Sequence, residues 1–142
     1  MKLIDLYDSY KAKYKEYVIL IKSGIFYEVY NEDVSIMYSL FNYKIKSIGN
    51  NYNIGFPEKN LYKVLDKLNQ YKVNYIVVDK INDEFSIVDK DKFSNNNYNK
   101  YQIDINRMNY LTYRIDNIYR NLINKINDTN IDNILQEVER LL

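Results

Sequence analysis

Apolar and polar positions along the chain change period several times, and each change marks an element. Leu3, Leu6, Tyr7, Tyr10, Tyr14 and Tyr17 recur at steps of three and four between Lys and Asp, which predicts a helix over 3–17. Val18 to Lys22 is an unbroken aliphatic run suited to a buried strand. Gly24 breaks that run, and Ile25 to Tyr30 continues as a second extended segment across a bend. Asn31 stands as N-cap of a helix over 32–42, with Glu32 and Asp33 in its first turn, where the helix dipole favours acids. Lys44 to Ile48 alternates like a half-exposed strand, Gly49-Asn50-Asn51 reads as a turn, and Tyr52 to Phe56 returns as the hairpin partner. Pro57 ends it. Asn60 then caps a helix with Leu61, Val64, Leu65 and Leu68 on one face, and Tyr75-Ile76-Val77-Val78 gives the clearest strand. Glu84 to Asp89 makes one further strand, and 94–100 is an Asn-rich loop. From Ile105 the helical period returns through Met108, Leu111, Ile115, Ile118, Leu122 and Ile126, close to a heptad seam. Asp128-Thr129-Asn130 interrupts it before a last helix over 131–142. The expected fold is α+β, a small mixed sheet flanked by helices with a carboxy-terminal helical hairpin. The division falls into 1–92 and 93–142, the hairpin packing on the same domain.

Composition narrows the chemistry. The 142 residues contain no cysteine and no histidine, which removes thiolate metal sites, disulfides, a cysteine nucleophile and the commonest general base. No carboxylate pair has a convincing catalytic geometry, and no acidic run has calcium-loop spacing. The chain therefore reads as non-enzymatic, without metal or cofactor. Twenty Lys+Arg against 19 Asp+Glu leave a net charge of +1, too little for a surface that clamps polyanions throughout. Locally the balance differs. Between Lys44 and Lys72, Lys44, Lys46, Lys59, Lys63, Lys67 and Lys72 face only Glu58 and Asp66. This lysine excess suits either phosphate contact or an ordinary solvated face. With no signal peptide or spanning segment, the expected location is the cytoplasm, with no membrane partner. The heavy use of Asn, Lys, Ile and Tyr is what AT-rich coding sequence gives without any functional cause.

The most informative segment is Gly24-Ile25-Phe26-Tyr27-Glu28. On an extended strand Phe26 and Glu28 point to the same face. A phenyl ring beside a carboxylate at an accessible strand end can stack on a flat ring while accepting a hydrogen bond from it. From spacing alone, a core Phe26 with a solvated Glu28 is the plainer reading.

In order along the chain stand Lys11-x-x-Tyr14, the strand 18–22, Gly24-x-Phe26-Tyr27-Glu28-x-Tyr30-x-Glu32-Asp33, Gly55-Phe56-Pro57, Leu61, Leu65 and Leu68, and Val77-Val78-Asp79-Lys80. This succession resembles the amino-terminal domain of the DNA mismatch repair protein MutS over about residues 7–80. The resemblance implies a non-catalytic module that binds double-stranded DNA carrying a mismatch or unpaired base. It implies that Phe26 wedges into the minor groove onto the mispaired base and that Glu28 hydrogen-bonds to that base. Lys22, Lys44, Lys46 and Lys59 would contact phosphates. The physics is coherent, because an apolar wedge kinks DNA most cheaply where a base is already mispaired. Near-neutral charge implies weak, salt-sensitive binding.

Two departures stand out. Ile25 occupies a place where that family usually has Asp, and the 46–54 connection is short. With only Gly24, Gly49 and Gly55 available, the chain has no phosphate-binding loop for an ATPase, so the expected module is a stand-alone reader. The resemblance leaves the carboxy-terminal helices unexplained. Met108, Leu111, Ile115, Ile118 and Leu122 form a seam that suits packing on the chain's own sheet, a homodimer or a repair-protein partner. The alternative function is a protein-interaction module on the same fold that no longer reads DNA.

Overall fold

A computed structural model describes residues 2–142 and divides the chain into two compact units, residues 1–103 and Asp104–Leu142. The boundary thus lies eleven residues beyond the 92/93 division that the periodicity suggests. The first unit is built on a six-stranded mixed sheet with order β3-β4-β2-β1-β5-β6. Its strands are β1 (Val18–Ser23), β2 (Phe26–Tyr30), β3 (Lys46–Ile48), β4 (Asn51–Pro57), β5 (Tyr75–Ile81) and β6 (Glu84–Asp91). Only β1 and β5 pair in parallel; the other neighbours are antiparallel. Four helices belong to this unit: α1 (Leu3–Lys13), α2 (Glu32–Phe41), α3 (Leu61–Gln70) and the single turn α4 (Tyr98–Tyr101). The fold is α+β.

Strand parity decides which side chains meet which helix. Ile19 and Ile21 of β1 share a face with Ile76 and Val78 of β5, and Tyr7 of α1 packs on them, with Leu3, Leu6, Tyr10, Tyr14 and Tyr17 around the rim. The apolar face predicted for 3–17 is therefore the one buried, although the helix ends at Lys13 and Tyr17 reaches the cluster from the connection beyond it. On the opposite face Tyr27 stacks on Phe56, Phe56 on Tyr43 and Tyr43 on Phe41, with the Lys67 ammonium of α3 over the Phe41 ring. Val64, Leu65 and Leu68 are the buried side of α3. The sheet is thus covered by α1 on one face and by α2 and α3 on the other.

A buried polar cluster ties α1 to α2. Asp33 Oδ1 accepts from Lys11 Nζ at 2.6 Å and from the Tyr98 hydroxyl at 2.6 Å, while Oδ2 accepts from the Tyr7 hydroxyl at 2.9 Å and the Ile19 backbone N–H at 3.0 Å. Lys11 Nζ also donates to the Tyr17 carbonyl at 2.7 Å. A lone buried charge would be strongly unfavourable, and four donors on one carboxylate offset its desolvation. The 94–100 segment is correspondingly ordered rather than a plain loop: Asn96 accepts from the Asn74 N–H, Asn97 donates to the Tyr71 carbonyl, and Tyr98 is buried.

Two helix caps differ from expectation. Asn31 has φ 44° and does not cap α2; its Oδ1 accepts from Tyr52 N–H and its amide donates to Asn51, joining β2 to β4. Asn60 makes no capping hydrogen bond, because a 3-10 turn over Glu58–Asn60 precedes α3 and supplies the first turn by itself. The second unit consists of α5 (Ile105–Asn124) and α6 (Ile131–Leu141). Asp104 caps α5 by accepting from the N–H groups of Asn106 and Arg107. Among the described residues no helix is long and apolar enough to cross a membrane.

Candidate nucleic-acid interface

The segment of interest lies at the β1–β2 hairpin. Ser23 pairs with Phe26, so Gly24 and Ile25 form a two-residue loop, and Gly24 has φ +61°. A positive φ at the first loop position matches the right-handed twist of the flanking strands and favours glycine there. The Glu58 N–H donates to the Ile25 carbonyl at 2.8 Å, bracing the tip against the end of β4. Phe26 follows at the strand end and is 42% exposed. It is not a core residue.

Glu28 lies two residues further along the same face, opposite Ile21 on one side and Gly55 on the other. Its carboxylate is pinned. Asn53 Nδ2 donates to Oε2 at 2.6 Å, whereas Oε1 accepts no hydrogen bond among the described residues. Gly55 makes this position possible: a Cβ there would stand 3.0 Å from Oε2 and 3.2 Å from Oε1. The carboxylate therefore lies across bare backbone. Burial and the Glu28 charge both raise the pKa of Tyr30, the next residue on this face, burial being the larger cause.

Around this pair the sheet face is open. The α1 layer covers β1 and β5, and Tyr7 reaches as far as Tyr30, with ring centroids 5.7 Å apart. Beyond it, Phe26 and Glu28 of β2, Gly55 and Pro57 of β4, and Lys46 and Ile48 of β3 form a strip with exposed or half-buried side chains. A shallow groove of about 380 Å³ runs past the tip, lined by Ile25, Phe26, Pro57, Glu58 and Lys59. Ile25, where an acid was expected by resemblance, is 66% exposed and makes the tip apolar next to Phe26.

The lysines separate into groups. Lys46 shares the sheet face of Glu28, because it pairs with Asn53, and Lys59 lines the groove beside Phe26. Lys44 is exposed in the connection before β3. Lys22 is engaged elsewhere: its ammonium meets Glu58 at 2.9 Å and Asp79 at 3.7 Å, and the Glu58 hydrogen bond, with the Asp79 charge, raises its pKa. A phosphate would have to compete with two carboxylates for it. Lys63, Lys67 and Lys72 belong to α3 and its end, in the layer on the other face of the sheet. The lysine excess seen along 44–72 is therefore not one patch, because the apolar side of α3 docks that helix opposite the Glu28 face.

Asn53 is the residue of the site that sequence reasoning missed. Nothing in a one-dimensional pattern marks it, since it lies 25 positions from the carboxylate it holds. Gly55 was visible as a motif residue without a role. Lys11 and Asp33, also motif residues, belong to the buried cluster and not to the interface. In the second unit Leu111, Ile115 and Ile118 are exposed, Leu122 is half-buried, and Met108 is buried and so not offered to a partner.

The fold and site define an α+β domain that presents an aromatic side chain and a held carboxylate on an open sheet face, with exposed lysines nearby. The family is more specific than that description. Residues 2–103 match the family model described as MutS domain I, and the chain belongs to that family. The match covers most of the chain and all the described residues of the first unit. It extends past residue 80, where the motif resemblance ended, through β6 and α4 to Ile103. MutS domain I is the mismatch-recognition domain, so the general role of this unit is binding mismatched DNA. No curated protein matches the chain.

Proposed function

We propose that the first unit reads mispaired or unpaired bases by binding alone, with Phe26 as the wedge and Glu28 as the acceptor for the base it exposes. The observation that carries this reading is the pairing of an exposed Phe26 with a carboxylate already fixed by Asn53 over Gly55. An aromatic wedge at a strand end can enter a base step without any rearrangement of the sheet. Stacking on one base contributes about 1–3 kcal/mol. The cost of unstacking is least where pairing is already broken, so selectivity comes from deformation energy and not from a base-edge code. The carboxylate is unfavourable beside phosphates, and its Oε1, which accepts no hydrogen bond among the described residues, is left to accept from a base N–H. Lys46, Lys59 and Lys44 supply the phosphate contacts.

The test is fluorescence anisotropy at low salt with duplexes that differ by one mismatch or one unpaired base. The mispaired duplex is expected to bind more tightly, and Phe26→Ala to remove that preference, a loss of about 5–150-fold for the 1–3 kcal/mol of stacking. Equal affinity for matched and mispaired DNA in the unmodified protein would show instead a domain of this fold that has ceased to read DNA.

A further inference from the structure

We propose that the Asp104–Leu142 unit is a dimerisation element in which α5 and α6 of one chain pair with the same helices of a second copy. Leu111, Ile115, Ile118, Tyr119 and Ile126 are spaced by four, three, one and seven residues, which at the helical period puts them on one side of α5 and its end. They are left exposed, Ile115 at 64% and Ile118 at 53%. α6 adds Leu135 and Leu141. An apolar surface of this kind is far more than scattered exposure on a monomer. With 36–74% of each residue accessible, these residues together offer on the order of 800 Å² per copy, which is what one partner of a stable interface contributes.

Charge identifies the occupant. α5 carries Arg107, Arg114 and Arg120 against Asp116, and α6 carries Asp132, Glu137 and Glu139 against Arg140. One helix is basic and the next acidic. Among the described residues, the ion pair within these helices is Arg140–Glu137 at 2.9 Å, so the α5 arginines do not find α6 carboxylates in their own chain. A two-fold axis sets the basic helix of each copy against the acidic helix of the other, and the same contact is made twice. A second copy is thus complementary in both apolar area and charge. The inference does not depend on the DNA reading, because it uses none of the residues of the first unit.

The experiment is sedimentation of the full chain over a concentration series. The expected mass is twice 17.2 kDa at tens of micromolar, falling towards 17.2 kDa on dilution. Ile118→Glu is expected to weaken the dimer at least tenfold with unchanged helical circular dichroism. Because the chain has no cysteine, single cysteines give an independent reading that does not require an intact glutamate variant. Ile115→Cys mixed with Leu135→Cys chains is expected to form an oxidised mixed dimer readily, because α5 of one copy lies on α6 of the other. Tyr113→Cys in the same mixture, equally exposed at 65% but on the opposite side of α5, is not. A mass of 17.2 kDa at every concentration, or equal cross-linking of Ile115→Cys and Tyr113→Cys to Leu135→Cys, would overturn the proposal.

Discussion

A methyl group at Gly55 is the smallest change that disturbs the interface. Gly55 has no positive φ, so Gly55→Ala strains no backbone, and β4 tolerates it. The added Cβ would nevertheless stand 3.0 Å from Glu28 Oε2 and 3.4 Å from its carboxyl carbon. The carboxylate must move off the sheet and away from Asn53. We expect a several-fold loss of preference for mispaired DNA in Gly55→Ala, with an unfolding free energy within about 1 kcal/mol of the unmodified protein. Anisotropy and a denaturant melt on the same sample check both halves. Phe26 has the complementary character: 42% exposed and outside the buried core, it can be truncated without opening an internal cavity. The two residues thus separate recognition from folding.

At the scale of elements, the junction of α1, β1, α2 and α4 combines apolar packing of α1 on β1 with a buried charge cluster centred on Asp33. Burial pushes the Asp33 carboxyl up, and Lys11, Tyr98 and the Ile19 N–H oppose that shift. Burial is likewise the main reason that the Tyr7 and Tyr98 hydroxyls stay protonated far above their ordinary range, and the Asp33 charge adds to it. Their folded pKa values are raised above the unfolded value near 10, so the stability they contribute is fully present below pH 10 and is lost as pH rises above it. Each should cost about 1.4 kcal/mol of stability per pH unit in that range. Denaturant melts between pH 9 and 11 should therefore show a steep alkaline loss, and Tyr7→Phe or Tyr98→Phe should flatten it by about the share of one tyrosine. An unchanged slope in both variants would mean that these hydroxyls ionise in the folded protein. Part of the Asn excess also finds a use at this scale, since Asn74, Asn96 and Asn97 tie the 93–98 segment to the connection between α3 and β5.

For the whole molecule, a net charge of +1 sets the character of DNA binding. Lys46 on the open face, Lys59 beside the groove and Lys44 before β3 are exposed, while Lys22 is held by Glu58 and Asp79. Three phosphate contacts predict a log–log salt slope of about −3, and each Lys→Gln at these positions should reduce its magnitude by about 0.9. Lys22→Gln should leave the slope unchanged, a distinction that titration of the affinity with salt can read. Dimerisation through α5 and α6 would place two such modest interfaces in one particle, and the steeper slope of a dimer on DNA would appear only above its dissociation constant.

Much of the fold was legible because its signals are local. Steps of three and four mark α1, α3, α5 and α6, and the aliphatic runs mark β1 and β5, since a side chain's direction on its own element follows from the period. The Asn82-Asp83 pair, both at positive φ, is the turn signal that would have extended the last hairpin to Ile81 and Glu84. By strand parity alone, Phe26 and Glu28 had to share a face. Which elements become neighbours has no such local mark. That Asn53 and Gly55 lie against Glu28, that Tyr98 meets Lys11 across 87 positions, and that α3 carries its lysines to the other face were settled by strand register and helix docking. Sequence determined what each segment is, because backbone sterics and periodicity act within a few residues. Tertiary structure decided how Phe26 and Glu28 are presented: packing left one ring exposed and one carboxylate held, and those are choices made between segments distant in the chain.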